Sequence, residues 1–235
     1  MSSFVFEPHP QPHADIAGQQ AAFPVRRIFC VGRNYAAHAR EMGFDDREPP
    51  FFFTKPNDAL VKTHSTIPYP PITNDLHHEI ELVLAIGKDG FNISPDEALG
   101  HIWGAGVGID LTRRDQQIAH REKGRPWDWG KAFDHSAPLA PLVPCSEMSE
   151  QQRRFDNARI WLSVNGEMRQ DANLSELTWD VSDIIAFCSQ SVALKRGDLI
   201  FTGTPAGVGA VVAGDVLRGG IDGLGEIEIT LNDPV

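Results

Sequence analysis

A chain of 235 residues, 41% hydrophobic and 23% charged, has ample material for a buried core and the make-up of an ordinary globular protein. Its formal net charge of −11 argues against nucleic acid and anionic membrane surfaces as partners. No stretch approaches the ~18 apolar residues of a membrane span, and MSSFVFEPHPQPHADIAGQQ lacks the basic and apolar runs of a signal peptide, so cytoplasmic residence is expected.

Residues 1–23, rich in Pro, His and Gln, read as an extended arm laid over the surface, ahead of a single domain spanning 24–235. RIFCVG (27–32) reads as a buried strand. NYAAHAREMG follows as a short helix, with Asn34 as its N-cap and Gly43 as its stop. FFFTK (51–55) is a second strand closed by Pro56, and the Pro-rich IPYPPITND leads into LHHEIELVLAIGK (76–88), a third. SPDEALGHI has Ser94 as N-cap and Pro95 at the first helical position. WGAGVGIDL reads as a glycine-rich strand under close packing, and TRRDQQIAHREKG as a helix ending at Gly124. Asn165-Gly166 inside WLSVNGEMRQ signals a hairpin. WDVSDIIAFCSQSVAL is an amphipathic helix, and the remainder alternates short strands with glycine turns. The chain is strand-dominated α+β, without internal repeats. Neither GAGVG (104–108) nor GVG (207–209) forms the GxGxxG of a dinucleotide site. Cys30, Cys145 and Cys188 lie far apart without a CxxC and read as buried thiols.

Glu79 and Glu81 stand out because side chains two apart on a strand share a face, which places these carboxylates roughly 6–7 Å apart. Ile80, Leu82, Leu84 and Ile86 fill the opposite, core face. Two such charges are either solvated on an exposed sheet face or joined by a hard divalent cation. Asp110, at the end of GAGVGID, caps the next helix or completes an oxygen-rich site for Mg²⁺ or Mn²⁺, with Ca²⁺ also accommodated. His77 and His78 keep zinc in play. His38 and Glu41, three apart on a helix, are an exposed pair or an oriented general base. Lys131 sits among Trp127, Trp129 and Phe133, Lys55 ends an apolar strand, and Arg114 and Gln117 share a helix face.

Together FCVGRNYAAHAREMG, FFFTKPNDALV, LHHEIELVLAIGK, GIDLTRRDQQ, GRPWDWGKAFDHSAPLAP, LSVNGEMRQ and GDLIFTGTPAGVG resemble the fumarylacetoacetate hydrolase family over nearly everything after residue 25. The likeness is to its small single-domain acylpyruvate hydrolases. It implies a mixed, rolled β-sandwich that dimerises and holds Mg²⁺ or Mn²⁺ on Glu79, Glu81 and Asp110. It further implies a His38–Glu41 water-activating dyad, an active-site Lys131, and substrate contacts from Lys55, Arg114, Gln117 and Thr204. TRRDQQ departs from the family's pattern, which has a small residue where Arg113 stands. The implied substrate is a small acidic 2,4-dioxo acid, fumarylpyruvate in gentisate degradation. Oxaloacetate decarboxylation and dienedioate isomerisation or decarboxylation are the alternatives. Arg33, Arg40, Arg121, Lys123 and Arg125 are candidates for a distal carboxylate. A protein using the cation only as a structural staple would need the three acids but neither the dyad nor Lys131.

Overall fold

The computed structural model describes residues 3–35 and 48–234. In chain order its strands are β1 (His13–Asp15), β2 (Ala22–Pro24), β3 (Arg27–Gly32), β4 (Phe51–Lys55), β5 (Leu60–Lys62), β6 (Ser65–Pro68), β7 (Leu76–His78), β8 (Ile80–Ile86) and β9 (Ile102–Ile109). There follow β10 (Thr112–Arg113), β11 (Ala137–Leu139), β12 (Val143–Pro144), β13 (Arg159–Val164), β14 (Glu167–Asn173), β15 (Asp198–Phe201), β16 (Gly209–Val211), β17 (Val216–Ile221) and β18 (Gly225–Asn232). The α-helices are α1 (Pro95–Ala98), α2 (Arg114–Glu122), α3 (Asp128–Lys131) and α4 (Val181–Ser191).

A large mixed sheet runs β4-β3-β15-β8-β9-β11-β5, with β12 also on β9, and a second sheet runs β14-β13-β17-β18-β6. Alternation of side chains on β8 decides how they stack. Ile80, Leu82, Leu84 and Ile86 face one apolar cluster, which they share with Ile160, Leu162, Leu217, Ile227 and Ile229 of the second sheet. Val83 and Ala85 on the opposite face are also buried, in a second cluster with Ile28, Cys30, Leu199 and Phe201. The central strand is thus enclosed on both faces, which explains its near-continuous apolar run. Helix α4 closes one side of the first cluster with Ile184, Ile185 and Cys188, and its start is capped by Asp180, whose side chain accepts from Asp183 N.

Several local readings are refined. The proline-rich start is not extended throughout: β1 and β2 pair antiparallel, and Ala14, Ile16 and Phe23 are buried in the second cluster. Residues 3–11 remain exposed. The helix expected from Thr112 begins only at Arg114, because Thr112 and Arg113 pair with His77 and Leu76. Ser94 precedes a single turn of helix, and its hydroxyl donates to the Glu97 carboxylate rather than accepting a backbone N–H. Asn165 and Gly166 both have positive φ, 53° and 81°, as a two-residue hairpin with the observed twist requires.

Candidate metal centre and active-site cleft

Strand pairing assembles the acids. Glu79 falls in the break between β7 and β8, and Glu81 lies on β8 opposite Gly108. Ile80 pairs with Ile109, so Asp110, just past β9, comes beside Glu79, and Asp110 N donates to Glu79 O at 2.8 Å. All three carboxylates are buried, with one oxygen from each within 4.8 Å of the others. No other such group of His, Cys, Asp and Glu occurs among the described residues. Burial pushes the Glu81 carboxyl well above its ordinary range, and the charges of Asp110 and Glu79 add to the rise. Gly203 N donates to Glu81 at 2.8 Å. That contact needs glycine: φ is +100°, and a β-carbon would stand 2.7 Å from Asn34 Cβ.

Three cations face the three acids. Lys131 Nζ lies 2.6 Å from Asp110 Oδ2, 2.7 Å from Glu79 Oε2 and 2.7 Å from Thr112 Oγ1. Burial works to lower the Lys131 pKa, but Asp110 and Glu79 outweigh it and the net direction is upward, so the ammonium stays charged. Arg114 donates to both Glu79 and Gln117. Lys55 is fully buried behind Asp110, 2.8 Å from its Oδ1, and donates to the carbonyls of Leu111 and Lys131. Buried charges persist only when paired or metal-bound.

The histidines do not join the acids. His77 Nε2 donates to Asp75 at 2.9 Å and Nδ1 faces Arg114 Nε at 3.4 Å. His78 Nδ1 lies 3.0 Å from Gln170 Oε1. The donor set is therefore all carboxylate oxygen, which fits Mg²⁺ or Mn²⁺ and removes the case for zinc.

Gln170, which sequence reading passed over, organises the far side. Its Oε1 accepts from Ile80 N at 3.1 Å and so requires His78 to carry its proton on Nδ1. Its amide donates to Thr204 Oγ1 at 2.8 Å and to Pro205 O at 2.9 Å. Thr204 thus accepts from within, leaving its own hydroxyl proton to donate into the cleft.

Glu79, Glu81, Arg114, Gln117, Lys131 and Thr204 line one cleft. Lys55, expected there as a substrate contact, does not; its placement behind Asp110 makes it a prop for that carboxylate. An adjoining cavity of about 550 Å³ is walled by Phe51, Phe53 and Trp127 and bounded by Lys131. Phe51 meets Trp127 edge-on at 5.2 Å, and Lys131 Nζ lies 5.0 Å from the Phe53 ring centroid. His38 and Glu41 lie outside the described residues.

Residues 27–232 match the family model described as fumarylacetoacetate (FAA) hydrolase C-terminal. The chain is 46% identical over 184 residues to a fumarylpyruvate hydrolase of a Ralstonia species, covering 78% of this chain and 93% of that protein. It is 37% identical over 211 residues to the oxaloacetate tautomerase YcgM of Escherichia coli, covering 90% and 95%. Among solved structures, the fumarylpyruvate hydrolase of Pseudomonas aeruginosa in complex with Mn²⁺ and pyruvate superposes with a TM-score of 0.94 at 49% identity, over 98% of this chain and all of that one.

Proposed function

Because the chain belongs to the fumarylacetoacetate hydrolase family, we propose that it is a metal-dependent hydrolase cutting a carbon–carbon bond of fumarylpyruvate, a 2,4-dioxo acid, to give fumarate and pyruvate. The observation that carries this reading is the buried cluster of Glu79, Glu81 and Asp110 with Lys131 bridging two of them. These three acids would hold Mg²⁺ or Mn²⁺, which when bound supplies Lewis acidity and charge neutralisation at the oxo-acid end of the substrate.

The chain's own groups supply the rest. Arg114, held by Glu79 and Gln117, presents a fixed guanidinium for the substrate carboxylate. Thr204 donates its hydroxyl proton to a substrate oxygen. Phe51, Phe53 and Trp127 offer an apolar wall to the acyl chain of the substrate. His38, oriented by Glu41, takes a proton from a water whose oxygen bonds to C4. The C3–C4 bond then breaks with its electron pair moving to C3, which leaves as the enolate of pyruvate and is protonated there. Lys131, whose three N–H groups meet Glu79, Asp110 and Thr112, would turn one of them to the developing negative oxygen, an arrangement of the oxyanion-hole type.

The oxaloacetate tautomerases among the relatives favour a second reading, since enolate stabilisation by the same lysine and acids suffices for oxaloacetate. It needs no activated water. The first reading also carries, as proposals, a place in gentisate breakdown, residence in the cytoplasm and a homodimer.

The deciding assay follows loss of ultraviolet absorbance from fumarylpyruvate, acetylpyruvate and oxaloacetate, with metal-stripped protein and after adding Mg²⁺ or Mn²⁺. Metal-dependent release of fumarate and pyruvate is expected. Oxaloacetate turnover without cleavage of either acylpyruvate would overturn the hydrolase reading in favour of the second.

A further inference from the structure

We propose that Asn34 is a positioning residue for the metal centre: it holds the peptide group whose N–H fixes Glu81. This rests on the reading of Glu79, Glu81 and Asp110 as the cation's ligands and deepens it. Asn34 is fully buried just past β3. Its Oδ1 accepts from Trp179 N at 2.8 Å, and its Nδ2 donates to Trp179 O at 2.9 Å and to Thr202 O at 2.8 Å. An amide that faces one N–H and two carbonyls satisfies all three in one orientation only. The side chain that sequence reads as a helix N-cap is therefore engaged 145 and 168 residues away along the chain.

The Thr202 carbonyl and the Gly203 N–H are two sides of one planar peptide group. Asn34 donates to that carbonyl, and the N–H of the same group donates to Glu81 Oε2 at 2.8 Å. One peptide thus relays the grip of Asn34 to the carboxylate, and each bond polarises the next. The relay needs a clamp because Gly203, with φ at +100°, carries no side chain to resist rotation of that peptide. Both flanks of the clamp are anchored. Thr202 N and Oγ1 each donate to Leu82 O at 3.0 Å, next to Glu81 on β8. Thr178 N donates to Asn34 O at 2.8 Å, and the Trp179 ring meets Phe187 of α4 edge-on at 5.0 Å. With one oxygen held in this way, the Glu81 carboxylate is oriented before any cation arrives, as partners behind a ligand commonly arrange.

The test is calorimetric titration of Mn²⁺ into the metal-stripped protein. Asn34→Asp keeps the shape and the acceptor for Trp179 N but loses the donors to Trp179 O and Thr202 O. Its added negative charge would by itself strengthen the binding of a cation, so a weakening reports lost positioning rather than charge. Affinity should fall by about 10- to 100-fold, the usual loss on changing a partner behind a ligand. In the metal-free NMR spectrum the Gly203 amide proton should shift upfield as its hydrogen bond lengthens. Asn34→Ser, too short to span both partners, carries the same expectation if the aspartate variant fails to fold. Asp198→Asn is the control, since it weakens the pairing with Arg26 and Arg27 at the other end of β15. It should lower the melting temperature and leave Mn²⁺ affinity at the wild-type value. Wild-type affinity in a folded Asn34 variant, an unmoved Gly203 proton, or an equal fall in Asp198→Asn would overturn the role of Asn34 and leave the metal centre intact. Wild-type protein that binds no Mn²⁺ would overturn both.

Discussion

A β-carbon built on Gly130 would stand 2.8 Å from the backbone nitrogen of Gln117. This near-contact presses α3, which carries Lys131, against α2, which carries Arg114 and Gln117. Glycine is needed because backbone atoms, unlike the tip of a side chain, cannot swing aside. Gly130→Ala is expected to destabilise the protein by about 1–3 kcal/mol. Activity should fall more than folding accounts for, since the two helices carry facing halves of one site. Thermal unfolding measured beside kcat/KM checks this; an alanine variant with wild-type melting and activity would show that the helices separate at no cost.

Lys131→Met removes the ammonium between Glu79 and Asp110 while keeping bulk beside the Phe53 ring. Breaking a buried ion pair from one side costs about 3–5 kcal/mol, so the metal-free variant should melt well below wild type. Turnover should drop by about 10²- to 10³-fold, the usual loss on removing a donor to a developing oxyanion. Denaturant titration and steady-state kinetics at saturating Mn²⁺ measure the two effects separately. A variant with unchanged turnover would remove Lys131 from the chemistry.

Glu81→Gln gives a prediction with a sign. In the metal-free protein burial, then Asp110 and Glu79, raise the folded-state pKa of Glu81 above its ordinary 4.5. The folded form therefore holds this proton more tightly than the unfolded chain. The resulting stabilisation is complete below 4.5 and is lost as pH rises through the folded value. The glutamine variant lacks this loss and should lose less stability than wild type as pH rises from 4.5 to 7.5, both measured metal-free. Mn²⁺ affinity should move the other way, falling by more than about 10²-fold, because changes outside the ligand shell already cost about 10–100-fold. Parallel pH–stability profiles for the two proteins, or Mn²⁺ titration heats like those of wild type, would remove Glu81 from the ligand set.

Gln170→Leu deprives Ile80 N, His78 and Thr204 of one shared partner. The buried Ile80 amide alone should cost about 1–3 kcal/mol. Gln170→Glu keeps the acceptor for Ile80 N and His78 but loses the donor to Thr204 and Pro205. The glutamate variant is therefore expected to retain more stability than the leucine variant while still raising KM through a misoriented Thr204. If both variants matched wild type in KM, Thr204 would have no part in binding.

Some of the site could be read because it rests on local periodicity. Glu79 and Glu81 share a face by strand alternation, and Arg114 and Gln117 by helix spacing, and the structure keeps both pairs in one cleft. The chain does not announce its long-range register. That Asp110 lies beside Glu79 follows from Ile80 pairing with Ile109, and that Gln170 props Ile80 follows from a contact across 90 residues. No residue within several positions of Gln170 marks it as anything but one polar member of a hairpin. Lys55 illustrates a related limit: its sequence neighbours show that it ends a strand, not that its ammonium is buried against Asp110 and away from the residues lining the cleft.

The cleft joins two walls of unequal connectedness. Glu81 stands on β8, which has β15 on one side and β9 on the other and apolar clusters above and below. Phe51 and Phe53 stand on β4, the last strand of the same sheet, bonded only to β3 among the described strands. A substitution on β8 is felt by four neighbours at once, whereas one on β4 is absorbed at the margin. Tolerance of change is therefore distributed unevenly across a single cleft: Glu81 sits where drift is punished, and the wall of Phe51 and Phe53 sits where drift is cheap. A lineage could reshape that wall by rewriting this border strand, leaving the acids untouched.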